Sequence, residues 1–106
     1  MTDFSETGAI IAQYVKHGWE LKFCIAREQD AEALRHAIQD QGFPTDIRTG
    51  NMNGLWFSRR SLPDRVAWEL RRLTDPPFAL VTMVPDTFTV EQHAAALREI
   101  EARMAS

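Results

Sequence analysis

The chain reads as one α+β domain, residues 1–106: an antiparallel-rich sheet of four to five strands with helices packed mainly on one face, in the order α-β-α-β-β-β-β-α. Three observations predict this. The stretch from Leu55 to Val84 breaks into three short apolar or alternating segments at Ser61-Leu62-Pro63-Asp64 and at Thr74-Asp75-Pro76-Pro77, so it reads as a meander at the centre of the sheet. Three other stretches carry apolar residues at helical spacing, and the first two of them end on a glycine. No internal repeat, low-complexity tract or linker divides the 106 residues, a common size for a single domain.

The first predicted helix covers residues 5–17, with Ile10, Ile11, Tyr14 and Val15 as its stripe. Lys16 and His17 suit the negative end of the helix dipole, and Gly18 suits the position just beyond it. Trp19 is expected beside that helix end. Glu20–Ala26 alternates as a strand, Leu21, Phe23 and Ile25 pointing one way and Glu20, Lys22 and Cys24 the other. The second helix spans about 29–41, with Ala31, Leu34 and Ile38 at helical spacing and Gly42 ending it. Residues 45–49 form a weak strand, short and polar enough to be a sheet edge. The Gly50–Gly54 loop is expected to fold that strand back onto Leu55 as a hairpin.

Within the meander, Leu55, Trp56 and Phe57 suit a pleated, half-buried surface. Val66, Trp68 and Leu70 alternate with Ala67, Glu69 and Arg71; the first set is expected in the core and the second outward. Phe78 to Val84 is almost entirely apolar, as in a strand covered on both sides. Thr89-x-x-Gln92 is a capping box with Phe88 at the staple position, and it opens a last helix striped by Val90, Leu97, Ile100 and Met104. Trp68, Leu70, Leu80 and Phe23 are the expected core.

Residues 62–73 admit a second reading. Ser61-x-x-Asp64 also matches a capping box, and Val66, Leu70 and Leu73 share a helical face. A helix there changes the plan to ferredoxin-like βαββαβ with extra terminal helices. In plan this resembles ferredoxin-like regulatory domains. No family-specific motif accompanies it, so no residue role follows.

Composition narrows the function classes. The apolar fraction of 44% and charged fraction of 25% are those of a globular chain. A net charge of −3 makes nucleic acid an unlikely partner, RNA on an open sheet included. Neither a signal peptide nor a run of ~20 apolar residues is present, so the expectation is a soluble, cytoplasmic protein without a membrane partner. With one cysteine, an internal disulfide and a cysteine-rich zinc site are excluded, and the three histidines lack ligand spacing. No catalytic or cofactor motif is found, so neither a metal nor a cofactor is expected. Cys24, in mid-strand, is expected to be structural.

The uneven feature is arginine. Segment 44–76 carries six arginines and a net charge of +2, against −3 before it and −2 after it. Arg59, Arg60, Arg65 and Arg71 are expected to gather around the Ser61–Asp64 turn, with Trp56 and Trp68 beside them as stacking surfaces or anchors. The bland alternative is a solvated face paired to Glu69 and Asp64. The resulting expectation is a non-catalytic binding or regulatory domain, with Arg59, Arg60, Arg65, Arg71 and Trp56 as its binding residues and a protein or an anionic ligand as its partner. The alternative is a small-ligand binder or enzyme, with Arg59 or Arg71 fixing an anion and Glu20, Glu69 or His93 doing acid–base work. An open sheet has two edges and symmetric dimers are the commonest oligomers, so the sequence weighs a homodimer and a monomer equally.

Overall fold

The computed structural model describes residues 4–43, 46–74 and 78–105. Its elements are α1 (Thr7–Lys16), β1 (Glu20–Ala26), a single 3-10 turn (Glu28–Asp30), α2 (Ala31–Gln39), β2 (Ile47–Thr49), β3 (Gly54–Leu62), β4 (Arg65–Arg72), β5 (Phe78–Pro85) and α3 (Val90–Ala105). The α+β class and the predicted order of elements hold. Residues 65–72 are a strand, so the βαββαβ alternative does not describe this chain. Thr45, expected to open the weak second strand, and the predicted break at Asp75-Pro76-Pro77 lie outside the described residues.

One five-stranded sheet has the order β2-β1-β3-β4-β5. β1 pairs parallel with β2 and antiparallel with β3, and β3-β4-β5 form the expected meander. The hairpin expected at Gly50–Gly54 is not there. β1 lies between β2 and β3, because α2 carries the chain back to lay β2 parallel on the far side of β1. The 50–53 loop therefore crosses the end of β1. Gly50 donates its N–H to the Ala26 carbonyl at 2.9 Å, and a Cβ on Gly50 would stand 2.4 Å from the Ile25 side chain, so only glycine fits the crossing. Asn53 pins the same crossing, accepting from the Arg27 N–H and donating to Asp30, each at 2.9 Å.

Both faces of the sheet are covered. α1 and α2 lie on one face, where Ile11, Leu34 and Ile38 pack on Cys24, Leu55 and Phe57. α3 lies on the other, where Leu97, Ile100 and Met104 pack on Phe23, Trp56 and Leu70. Of the expected core, Phe23 and Leu70 are buried, while Trp68 and Leu80 are half-buried against that second cluster. Val15 and Val90, placed on apolar stripes by spacing, are exposed.

The alternation read in β1 fails at one point. The β1–β3 register shifts between Leu21 and Phe23, so Leu21 faces Phe57 while Phe23 faces Trp56. Lys22 is the extra residue of this bulge. Leu21 consequently packs with the α1 side and Phe23 with the α3 side, although simple alternation puts them together. At the end of α1, Gly18 has φ +88° and its N–H bonds the Val15 carbonyl, as expected of the residue after a helix.

Candidate functional site

At the meander end of the sheet, α3 diverges from the strands and leaves a groove of about 370 Å³. Its floor comes from register. Val66 faces Val84 and Ser58 faces Trp68 across neighbouring strands, and period-two alternation sends all four to the α3 side. Phe88, Val90 and His93 form the opposite wall, with Phe88 and Val90 exposed at the mouth. The capping box sets that wall: Thr89 N–H donates to Gln92 Oε1 at 2.8 Å, and Gln92 N–H to Thr89 Oγ1 at 3.1 Å. Lys22 follows Leu21 of the α1 side, so alternation sends it to the groove side, and the bulge then puts Phe23 on that side as well.

An aromatic series backs the groove. Phe23, Trp56 and Trp68 follow one another at 6.2 Å between ring centroids, and His93 meets Trp68 edge-on at 4.7 Å. Trp56 is fully buried, and its indole N–H donates to Glu101 Oε2 at 3.0 Å. It therefore supports the groove from behind, and burial bars it from the surface stacking expected of it. His93 Nε2 is buried without a hydrogen-bond partner, its ring held against Trp68.

The four arginines do not gather. Successive β3 residues alternate faces, so Arg59 and Arg60 part company. Arg59 lies on the α1 side, its guanidinium 4.6 Å over the Trp19 ring and donating to the His17 carbonyl at 2.9 Å. Arg60 grips Asp86 with two bonds of 3.0 and 3.3 Å and also donates to the Pro63 carbonyl, tying the β3–β4 turn to the end of β5 at the groove's rim. Arg65 pairs with its neighbour Asp64 at 3.3 Å, which holds that carboxyl below its usual range. Arg71 sits at the far end of β4, donates to the Arg72 carbonyl, and lines a separate hollow with Phe4 and Thr7. Glu69 and Arg71 do share a face, but α1 reaches over it: the Tyr14 hydroxyl donates to Glu69, and burial, helped by this bond, pushes the phenol's pKa upward.

Of the residues the sequence singled out, Trp68 and His93 line this groove and Arg60 stands at its rim on Asp86, while Lys22, Ser58, Phe88 and Val90 line it without having been singled out as site residues. Two signals were readable, the staple position of Phe88 and the shared parity of Val66 and Trp68; the bulge that brings Phe23 to the face of Lys22 left none. Cys24 is fully buried beneath α2, where burial, helped by the Asp46 carboxylate, pushes the thiol up to about 12. Among the described residues, no group of three His, Cys, Asp or Glu side chains is placed to hold a metal, and no helix is long and apolar enough to cross a membrane.

The fold is that of a small α+β domain, and this groove over its sheet is an apolar surface with one lysine and one aspartate in its lining. Comparison with protein-family models, with curated proteins and with solved structures finds no match.

Proposed function

We propose that the chain is a small non-catalytic binding domain that takes its ligand in the groove between α3 and the β3–β5 strands. The observation that carries this reading is the groove's composition. An apolar floor of Val66, Trp68 and Val84 lies beside the Ser58 hydroxyl and the Lys22 ammonium, which an exposed Glu20 carboxylate contacts at 3.5 Å and a ligand carboxylate would have to displace or share, with the Arg60–Asp86 pair at the rim. Such a surface suits an apolar group that bears a carboxylate. The proposal keeps the expected pairing of arginine with tryptophan, but narrows it to Arg60 and Trp68. Binding is preferred to catalysis because His93 Nε2 is buried and the one thiol is sealed. The reading takes the domain to work in the cytosol, where a lone thiol stays reduced, and it accommodates a monomer or a homodimer.

The test is a two-dimensional amide NMR titration with phenylacetate and hexanoate. Shifts should concentrate at Lys22, the Trp68 indole and Thr89–His93. Lys22→Glu should weaken binding by ~10-fold or more, the scale of one lost charge-assisted contact. If neither acid shifts these signals, or Lys22→Glu leaves the affinity unchanged, the groove is not the binding site.

A further inference from the structure

The two edges of the sheet differ in kind. β2 is three residues long, and its Arg48 pairs with Asp46, so charge blunts it against further strands. β5 is eight residues long, and Phe78–Pro85 carries no charged side chain. Phe78, Val81 and Met83 stand 49%, 51% and 38% exposed. Proline falls only at its last position.

The hydrogen-bond parity of β5 is fixed by its end. Asp86 donates its N–H to the Asp64 carbonyl at 2.8 Å, extending the β4–β5 ladder in register. Along an antiparallel pair the bonded residues alternate, so Val84, Thr82 and Leu80 turn their N–H and C=O groups to β4. Pro85, which has no N–H, falls on the other parity, as it must. Ala79, Val81 and Met83 therefore direct their backbone groups out of the sheet. Their side chains lie on the α1 side, opposite the half-buried Leu80 that packs beneath α3.

We infer that β5 pairs antiparallel with β5 of a second copy of this chain about a two-fold axis at Thr82, joining the two sheets into one. This register satisfies every outward N–H. Val81 donates to Met83 of the second copy, Met83 to Val81, and Ala79 to the Pro85 carbonyl. The N–H that Pro85 lacks falls at the end of the ladder. Val81 and Met83 meet across the seam as apolar pairs, and Thr82 meets Thr82 on the other face. Charge also selects a second copy. Each chain carries −3 in total, yet no like charges oppose each other in the seam, and Glu69, beside Val81, lines up with Ala67 of the second copy rather than with its own counterpart. One strand pair is smaller than the ~1,200–2,000 Å² of a standard interface, so the dimer is a reversible one, dissociating at about 10–100 µM.

Sedimentation of the full chain from micromolar to about millimolar concentration tests this, with three variants. The wild type should pass from monomer to dimer. Val81→Pro removes an N–H that β4 does not use, so it should weaken dimerisation at least ~10-fold while thermal unfolding stays close to wild type. Thr82→Cys should cross-link as a covalent dimer under mild oxidation, because a non-hydrogen-bonded pair on the axis sets the Cα atoms ~4.5 Å apart, within disulfide reach. Val81→Cys should not, since its two copies are offset along the strands. A wild type that stays monomeric throughout overturns the inference, even if β5 accepts a foreign extended peptide. So does a Val81→Pro variant that dimerises as well as wild type, or equal cross-linking at positions 81 and 82.

Discussion

The two faces of the sheet differ in how they are covered. On the α1–α2 face two phenylalanines and one thiol sit among aliphatic buried side chains, Tyr14, Trp19 and Phe43 pack at the margin, and two helices close over them. On the α3 face Phe23, Trp56 and the half-buried Trp68 pack among Ile25, Met52 and Leu70, and a single helix has to cover them. That helix is held down by polar latches. Glu101 accepts the Trp56 indole N–H, and Arg72 donates to the Met104 carbonyl at 2.8 Å, capping one of the free carbonyls at the end of α3. One helix cannot span five strands, so the α3 face stays open at one end, and that opening is the groove. Coverage, more than side-chain chemistry, decides where this fold leaves room for a ligand.

The sharpest test compares adjacent β3 residues that point to opposite faces. Trp56 and Phe57 are both fully buried, so truncating either to alanine should cost about 3–5 kcal/mol in urea unfolding. Should one of them cost less than ~1 kcal/mol, the face it serves is not a core. The next effect belongs to the α3 face alone. Glu101→Ala leaves the buried indole N–H unpaired and should cost about 1–3 kcal/mol. The same change in a Trp56→Phe background should cost clearly less, and equal costs would show that the latch is not what Glu101 supplies. The smallest effect belongs to the α1–α2 face. Cys24 has its pKa raised from an ordinary value near 9 to about 12, and that of Tyr14 is raised as well. A folded-state pKa above the unfolded one gives stability that is complete below the unfolded value and lost as pH rises through the folded one. Stability should therefore decline between about pH 9 and pH 12, and Cys24→Ala should make the decline shallower. An unchanged slope would mean that the thiol does not contribute to it.

Local chemistry made most of the fold legible. Gly18 and Gly42 end their helices where expected, the Thr89–Gln92 box caps α3 as read, and Pro63-Asp64 turns β3 into β4. What escaped depends on distant partners. Nothing in 45–54 says that β2 pairs with β1 instead of β3, because that choice is made by the α2 crossover. A bulge is a property of two strands, so β1 alone could not reveal that Lys22 breaks the alternation. The arginines were misjudged for a related reason. Their proximity in sequence is real, but side-chain parity on β3 separates Arg59 from Arg60, and four strand positions separate Ala67 from Arg71 at the far end of β4. Of the candidate groove, the shared parity of Val66 and Trp68 and the staple position of Phe88 were legible, and the register that brings them together was not.

The place of β1 between β2 and β3 also governs the order in which the sheet can close. β1 emerges first among the five strands, yet both of its neighbours come later, at 47–49 and from 54 onward. Until those segments exist, the apolar stretch Phe23–Ala26 has two unpaired sides. The meander, by contrast, zips between sequence neighbours. Because pairing between nearby segments outruns pairing between distant ones, β3 and β4 form early and β1 docks onto them as a later event. A nascent chain paused before residue 54 would expose the sheet's future centre, and so would be more prone to aggregate than one paused after the β3–β4 turn.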